Sequence, residues 1–100
     1  RLSRAELRPE PLDLGQIARE VLDDLAAADP AHAPRIEISG ELRARGDAAL
    51  VRNLLDNMLG NAWKFTRNTP APWIALDAVG EAEGYREFRL RDNGAGFPQA

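Results

Sequence analysis

Apolar residues recur every three or four positions from Leu14 to Ala26, and this spacing predicts an amphipathic helix. Asp13 is a good N-cap residue for such a helix, and Gln16, three positions later, completes a capping box. The proline-containing segment Asp29–Pro34 predicts its end.

A second helix is predicted from Ala48 to about Phe65, behind Asp47 as its N-cap. On a helical wheel its apolar residues cluster on one side and predict a core stripe. This stripe comprises Val51, Leu54, Met58, Ala62 and Phe65. Trp63 lies off this stripe, and we expect it to pack against a neighbouring loop or domain.

Four shorter stretches alternate between apolar and polar residues and predict β-strands. They are Arg35–Ser39, Glu41–Arg45, Trp73–Val79 and Tyr85–Asp92. Gly80–Gly84 suits a hairpin turn between the last two strands. The order of elements predicts an α+β fold, a two-layer sandwich in which an antiparallel or mixed sheet carries helices on one face.

Asn53, Asn57, Asn61 and Lys64 fall within roughly 80° of arc on the second helix, at the margin of the predicted core stripe. Burying an asparagine amide without partners is costly, so a ligand could offset that cost. Gly60, in the middle of the helix, indicates close packing or close approach of a ligand. A row of amide oxygens beside a lysine suits a hydrated divalent cation that carries phosphates. The alternative is a solvated helix surface.

Asp92 shares a strand face with Phe88 and Leu90, so we expect its carboxylate to face the core and to need a donor. Gly94 and Gly96 follow, and they allow positive φ and close approach of the backbone. The alternative interpretation is a tight turn in which the carboxylate accepts hydrogen bonds from its own loop.

Composition narrows the functional classes. The chain has 100 residues, a formal net charge of -3 and no cysteine, so it has no general electrostatic footprint for nucleic acid and no thiolate metal site. No apolar run approaches the length of a membrane span. The chain begins at an arginine and stops soon after a glycine-rich turn, so we expect a piece of a longer, cytoplasmic protein.

The first eleven residues are predicted to lie outside the domain. Arg1–Leu7 is expected to be the end of a helix that starts upstream, and Arg8–Pro11, with its two prolines, to be a linker. The predicted domain boundary therefore lies between residues 11 and 12.

"NMLGNAWKFT" resembles the N box, and "RDNGAGF" the first glycine box, of the ATP-binding domain of sensor histidine kinases. That domain belongs to the superfamily shared with DNA gyrase, a heat-shock chaperone and MutL. "LSRAELRPEPLDLGQIAREVL" is similar to the junction between the kinase dimerisation helix and the catalytic domain. The resemblance implies a Bergerat-type ATP-binding fold that is truncated after the first glycine-box turn, and it spans essentially the whole chain.

The resemblance also implies a role for each matching residue. Asn61 would ligate Mg²⁺ bridging the ATP phosphates, Asn57 would line the phosphate end, and Lys64 would contact phosphate. Phe65 stands where the family often has tyrosine, so a ring near the nucleotide is kept and a hydroxyl is lost.

The glycine box would hold the other end of the nucleotide. Asp92 would accept from the adenine amino group, and Gly94 and Gly96 would let the loop pass close to the purine.

Gyrase-type relatives have a glutamate base where this chain has Asn57, so phosphoryl transfer to a histidine fits better than activation of water. Such transfer needs positioning and charge neutralisation more than a protein base. The expected parent is a two-component sensor histidine kinase. Its partners are ATP, the phosphoacceptor histidine of its own dimerisation domain and a response regulator, and it is expected to be a homodimer.

The family's F box, ATP lid and second glycine box would follow Ala100, so the chain alone is expected to be inactive as a kinase. His32 lies in a loop without the acidic neighbour of a kinase H box, and we expect it to be exposed to solvent rather than to accept phosphate.

Two alternatives stay open. One is a non-catalytic, degenerate relative that acts as an interaction module. The other is a different ATPase of the same superfamily, which the asparagine at position 57 disfavours.

Overall fold

The computed structural model describes residues 8–82 and 85–94, which form two helices and five strands. In chain order the elements are β1 (Pro9–Asp13), α1 (Leu14–Ala28), β2 (Arg35–Ser39), β3 (Arg43–Asp47), α2 (Ala48–Phe65), β4 (Trp73–Ala82) and β5 (Tyr85–Asp92).

The strands form two sheets. β1 and β3 pair antiparallel in a two-stranded sheet, and β2, β4 and β5 form a three-stranded sheet with β4 in the centre. β2 runs parallel to β4, with Arg35 beside Trp73, whereas β5 runs antiparallel to β4, with Asp92 beside Ile74. A parallel pair needs a crossover, and the connection from β2 to β4 contains β3 and α2.

The core lies between the helices and the strands. Its buried apolar side chains include Ala18, Val21 and Leu22 of α1, Leu55, Leu59 and Ala62 of α2, and Ile74 and Leu76 of β4. The two helices pack against each other and against the strands. The predicted α+β sandwich with a mixed sheet is confirmed.

Both predicted helices are confirmed with their N-caps. Asp13 Oδ1 accepts from the Gln16 backbone N–H at 3.2 Å, and Asp47 Oδ1 accepts from that of Leu50 at 3.1 Å. The Gln16 side-chain amide donates to Glu20 at 3.5 Å instead of returning to the cap, so the capping box is half formed. Within the described residues, neither helix combines the length and the apolarity that crossing a membrane would require.

The segment that precedes α1 differs from the prediction. Where a linker was expected over Arg8–Pro11, the structure has a strand, Pro9–Asp13, whose Leu12 side chain is buried. A two-stranded sheet tolerates proline because each strand has a free edge that needs no N–H donor. The predicted helical segment Arg1–Leu7 lies outside the described residues.

Three strand boundaries also move. β3 begins at Arg43 and ends at Asp47, each two residues after the predicted position. β4 continues to Ala82, through residues that the sequence assigned to a turn. At Gly80 the pairing of β4 with β5 shifts by one residue, and φ is 156°, a value that favours glycine.

The prediction of an exposed His32 is wrong. Its side chain is 7% exposed, and its Nε2 lies 2.9 Å from the Thr66 hydroxyl. Trp63 packs against the same loop, as expected, with its ring edge-to-face on His32 and its Nε1 donating to Asp29 at 3.1 Å. Trp63 is also buried in the core, contrary to its predicted place off the core stripe.

Candidate functional site

The side of α2 that meets the core differs from the predicted stripe. Its buried residues are Leu55, Leu59, Ala62 and Trp63. Leu54 and Met58, which were assigned to the core, are 56% and 39% exposed. α2 carries apolar residues on two neighbouring faces, and helical periodicity alone does not say which face meets the strands.

The row of asparagines lies on the solvent side of α2. Asn53, Asn57, Asn61 and Lys64 are all exposed. At ~100° per residue, their mean direction is roughly opposite to that of the buried residues. The premise that burial of these amides must be offset by a ligand is therefore wrong, because water can satisfy them. The same exposure leaves the amide oxygens and the ammonium free to contact a ligand.

Within the described residues, no close packing explains why a glycine stands at position 60 in the middle of α2. A Cβ atom placed on it would meet no atom of a neighbouring element within 4 Å. Of the two explanations for a mid-helix glycine, close packing is excluded within this part of the chain, and close approach of a ligand stays a prediction.

The turn after β5 contacts the C-terminal end of α2. A Cβ atom on Gly94 would lie 2.7 Å from the backbone oxygen of Phe65 and 2.7 Å from Asp92 Oδ1. Only glycine allows two segments to approach this closely without displacement. The expected positive φ is not found at Gly94, so its role here is close approach alone. The structure thus brings the last residue of α2 beside the turn that carries Asp92.

Asp92 is half-buried, and its Oδ1 accepts a hydrogen bond of 2.7 Å from the Gly94 backbone N–H. This is the turn that the sequence left open as an alternative. One N–H occupies one lone pair of one oxygen, and a carboxylate has about four such acceptor sites. The Gly94 N–H therefore uses one acceptor site of the Asp92 carboxylate, and further sites stay available to a second donor.

Asn93 holds this turn in place, a role that the sequence analysis missed. Its Oδ1 accepts from the Trp73 backbone N–H at 2.8 Å, and its Nδ2 donates to the Ala71 carbonyl at 3.0 Å. Its own N–H donates to the Trp73 carbonyl at 3.3 Å. An asparagine directly after a strand and before a glycine is a turn signal, but the segment it binds, twenty residues earlier, becomes visible only in the fold.

The predicted site residues divide into two groups. Phe65, Asp92 and Gly94 meet at one end of the sandwich. Asn61 and Lys64 lie on the exposed face of α2 within about 6 Å, measured along the helix axis, of Phe65, and Asn57 lies one turn further back. Gly96 lies outside the described residues.

The exposed face of α2 fits a magnesium ion that is held mainly by a substrate. The described residues contain no group of three or more His, Cys, Asp or Glu side chains that could hold a metal ion. Mg²⁺ keeps several waters and commonly takes only one or two protein oxygens together with substrate phosphates. A single exposed amide oxygen, such as that of Asn61, is compatible with this type of coordination.

No protein-family model matches the sequence. Among solved structures, the chain is similar to the mycobacterial sensor histidine kinase MprB, with a TM-score of 0.69 and 20% sequence identity. The match covers 91% of this chain and 59% of the kinase chain. The chain therefore has a fold related to that of a sensor histidine kinase and spans about three fifths of that kinase chain.

Proposed function

We propose that this chain is part of the Mg-ATP-binding domain of a two-component sensor histidine kinase. Two observations support the proposal. The fold is similar to that of a sensor histidine kinase at a TM-score of 0.69. In addition, the turn that resembles the first glycine box contacts the end of the helix that resembles the N box, with Gly94 against the Phe65 carbonyl. This contact carries the proposal, because the two motifs are far apart in sequence and a shared ligand needs them together.

The adenine end of the nucleotide belongs, in this proposal, to the turn after β5. The Asp92 carboxylate accepts from the adenine amino group with the acceptor capacity that the Gly94 N–H leaves unused. Gly94 lets the turn lie directly against the end of α2, and Gly96 would let the following loop pass close to the purine. The ring of Phe65, which is half-buried, lines this end.

The phosphate end belongs to the exposed face of α2. Asn57 and Asn61 offer amide oxygens, and Lys64 offers an ammonium that attracts phosphate as a point charge. Asn61 would hold Mg²⁺, which supplies neutralisation of the phosphate charge when it is bound. Asn57 cannot act as a general base because an amide has no basic lone pair at neutral pH.

The parent protein would transfer the γ-phosphoryl group of ATP to a histidine on its dimerisation helix, and a response regulator would receive it. The described part of the chain supplies positioning and charge neutralisation, which are the main protein contributions to phosphoryl transfer. The parent is proposed to be a cytoplasmic homodimer, and the chain alone is proposed to bind nucleotide without kinase activity.

The test is an NMR titration of the 100-residue chain with ADP, with and without Mg²⁺. We expect shifts at Asn57, Asn61, Lys64 and the turn that carries Asp92. In Asp92→Ala, the affinity should fall about 10- to 100-fold, because a hydrogen bond to a charged group is lost. Chelation of Mg²⁺ should remove the shifts at Asn61 and leave those at the turn.

Asp56→Ala is the control, since it removes an exposed carboxylate from α2 and leaves the proposed site residues in place. It should bind ADP as the unmodified chain does. A folded chain that shows no shifts at millimolar ADP would instead favour the non-catalytic interaction module. Equal affinities in Asp92→Ala and Asp56→Ala would contradict the adenine contact.

A further inference from the structure

The segment that leads into β4 contains a backbone conformation that residues other than glycine rarely adopt. Among the residues that the structure describes, Ala71 is the one non-glycine residue with a positive φ, at 48°. A residue with a Cβ atom reaches this left-handed region at a cost in free energy, and such a conformation persists only where surrounding contacts hold it. Contacts from elsewhere in the fold must therefore hold Ala71 in place.

Asn93, which directly follows β5, bonds to this segment on both sides of Pro72. Its Nδ2 donates to the Ala71 carbonyl at 3.0 Å, and its Oδ1 accepts from the Trp73 N–H at 2.8 Å. Its own N–H donates to the Trp73 carbonyl at 3.3 Å. The start of β2 bonds to the same segment, because the Arg35 N–H donates to the Pro72 carbonyl at 2.9 Å. Both ends of the Asn93 amide are therefore in use, and alanine at this position would lose both side-chain bonds.

The turn that Asn93 bonds to the segment 71–73 also carries Asp92, whose side chain has a different partner. Asp92 Oδ1 accepts from the Gly94 N–H at 2.7 Å. On the side of α2, a Cβ atom on Gly94 would lie 2.7 Å from the Phe65 carbonyl oxygen. The turn therefore lies between two supports, the segment 71–73 and the end of α2. Through the backbone of the turn, the Asn93 amide can set where the Asp92 carboxylate points.

A carboxylate distinguishes adenine from guanine by one exocyclic group. Adenine has an amino group that donates a hydrogen bond, whereas guanine has a carbonyl oxygen that accepts one at the same place. The carbonyl oxygen leaves the carboxylate without a donor and places two acceptors against each other, so the site rejects guanine. The discrimination requires a donor-to-acceptor distance of about 2.7–3.2 Å. A displacement of the turn by about 1 Å is therefore enough to weaken it.

We infer that Asn93 is a positioning residue for purine selectivity. By bonding to the segment that contains the left-handed Ala71, it holds the Asp92 carboxylate where the amino group of adenine can donate to it and guanine is rejected. This role rests on the proposed function, which supplies the purine. The hydrogen bonds that perform it lie within the fold and do not depend on bound nucleotide.

The test combines NMR titrations of the 100-residue chain with ADP and with GDP and amide hydrogen exchange without nucleotide. Asn93→Ala should lower the ratio of ADP to GDP affinity about tenfold, because the carboxylate is no longer held in place. The Gly94 N–H should exchange faster in the same variant, although the bonds of the Asn93 side chain go to residues 71 and 73. A residue that contributed only to stability would lower both affinities by the same factor and leave their ratio unchanged.

Asn68→Ala is the matched control, because it makes the same change at an exposed asparagine of the loop that Asn93 contacts. It should keep both the affinity ratio and the exchange rate of the Gly94 N–H. Ala71→Gly and Ala71→Val test the contact from its other end; this residue is exposed, so both changes act through the backbone. Glycine adopts a positive φ readily and should keep the ratio, whereas the β-branched valine opposes it and should lower the ratio. Circular dichroism and the thermal midpoint establish that each variant is folded.

The outcomes separate this inference from the proposed function. A chain that binds ADP, and in which Asn93→Ala lowers the ADP and GDP affinities equally, would overturn the inference and leave the proposed function standing. An unmodified chain that does not bind ADP would contradict the proposed function; unchanged exchange of the Gly94 N–H in Asn93→Ala would then overturn the positioning role as well. If Asn93→Ala does not fold, equal affinity ratios in Ala71→Gly and Ala71→Val would overturn it.

Discussion

Gly94 and Gly60 have opposite surroundings, although the sequence marks each of them as a position of close approach. A side chain on Gly94 would collide with the Phe65 backbone and with the Asp92 carboxylate at 2.7 Å. Among the described residues, a methyl group on Gly60 would meet no atom of a neighbouring element within 4 Å. At the residue scale, the effect of replacing a glycine therefore depends on which atoms lie where the new side chain would be.

We expect Gly94→Ala to lower the free energy of unfolding by about 1–3 kcal/mol, because the turn and the end of α2 must move apart. Gly60→Ala should raise it by about 0.5–1 kcal/mol, because alanine restricts the unfolded chain and fits the helix. Urea denaturation followed by tryptophan fluorescence measures both. A neutral Gly94→Ala would mean that the contact with the Phe65 carbonyl is not tight in solution.

At the scale of elements, one carboxylate connects β1, β3 and α2. Asp47 ends β3 and caps α2, where its Oδ1 accepts from the Leu50 N–H at 3.1 Å. Its Oδ2 accepts from the Arg8 N–H at 2.8 Å, directly before β1. Because the residues that it joins are 39 positions apart, the cap also fixes the small sheet against the helix.

The contribution of the Asp47 cap to stability should depend on pH. The backbone N–H groups of Arg8 and Leu50 lower the pKa of Asp47 below its ordinary value. A carboxylate with a lowered folded-state pKa stabilises the fold above its ordinary titration range, and the contribution is lost as pH falls through the folded pKa. Asp47→Ala should therefore have a lower thermal midpoint at pH 7 and a smaller further decrease on acidification.

Thermal melts between neutral pH and about pH 2 provide the measurement, the lower limit being below the ordinary range of an aspartate. Asp56→Ala, which removes an exposed carboxylate from the middle of α2, is the control and should keep the acid dependence of the unmodified chain. The interpretation fails if Asp47→Ala loses stability on acidification as steeply as the control does.

At the scale of the whole molecule, a polar cluster, buried at His32 and Thr66, ties the loop after α1 to the end of α2. The Thr66 hydroxyl is fully buried and lies 2.9 Å from His32 Nε2 and 2.8 Å from the Ala62 carbonyl. Trp63 donates to Asp29, and Arg67 forms an ion pair with the same carboxylate at 3.3 Å. These bonds hold the end of α2, which also carries Phe65 and the contact with Gly94.

Thr66→Val should therefore destabilise the protein by about 1–3 kcal/mol, because it keeps the volume and leaves the buried His32 nitrogen without its partner. The free energy of unfolding in urea gives the measurement. Thr69→Val is the control: its hydroxyl makes a longer contact, 3.5 Å, with the Phe65 carbonyl in a half-buried setting, so its removal should cost less. Equal losses in the two variants would contradict a special role for the His32–Thr66 bond.

The residues of the candidate site are predictions from the sequence, and the structure supplies their surroundings. Asp92 and Gly94 were selected from a short motif, and the structure places them against Phe65, at the end of the helix that carries Asn57 and Asn61. Asn93 was missed because its partners are remote in sequence. The burial assigned to the asparagines was wrong because two adjacent apolar faces on α2 compete for the core.

The sequence by itself determined both helices, their N-caps, the alternating strands and the α+β class, because helical period, strand alternation and capping depend on residues within a few positions of each other. Only the tertiary structure decided that Pro9–Asp13 is a strand, that His32 is buried and that α2 turns Leu55 and Leu59, not Leu54 and Met58, towards the core. Each of these outcomes depends on contacts between residues distant along the chain, and local periodicity contains no information about which of two apolar faces another element will cover.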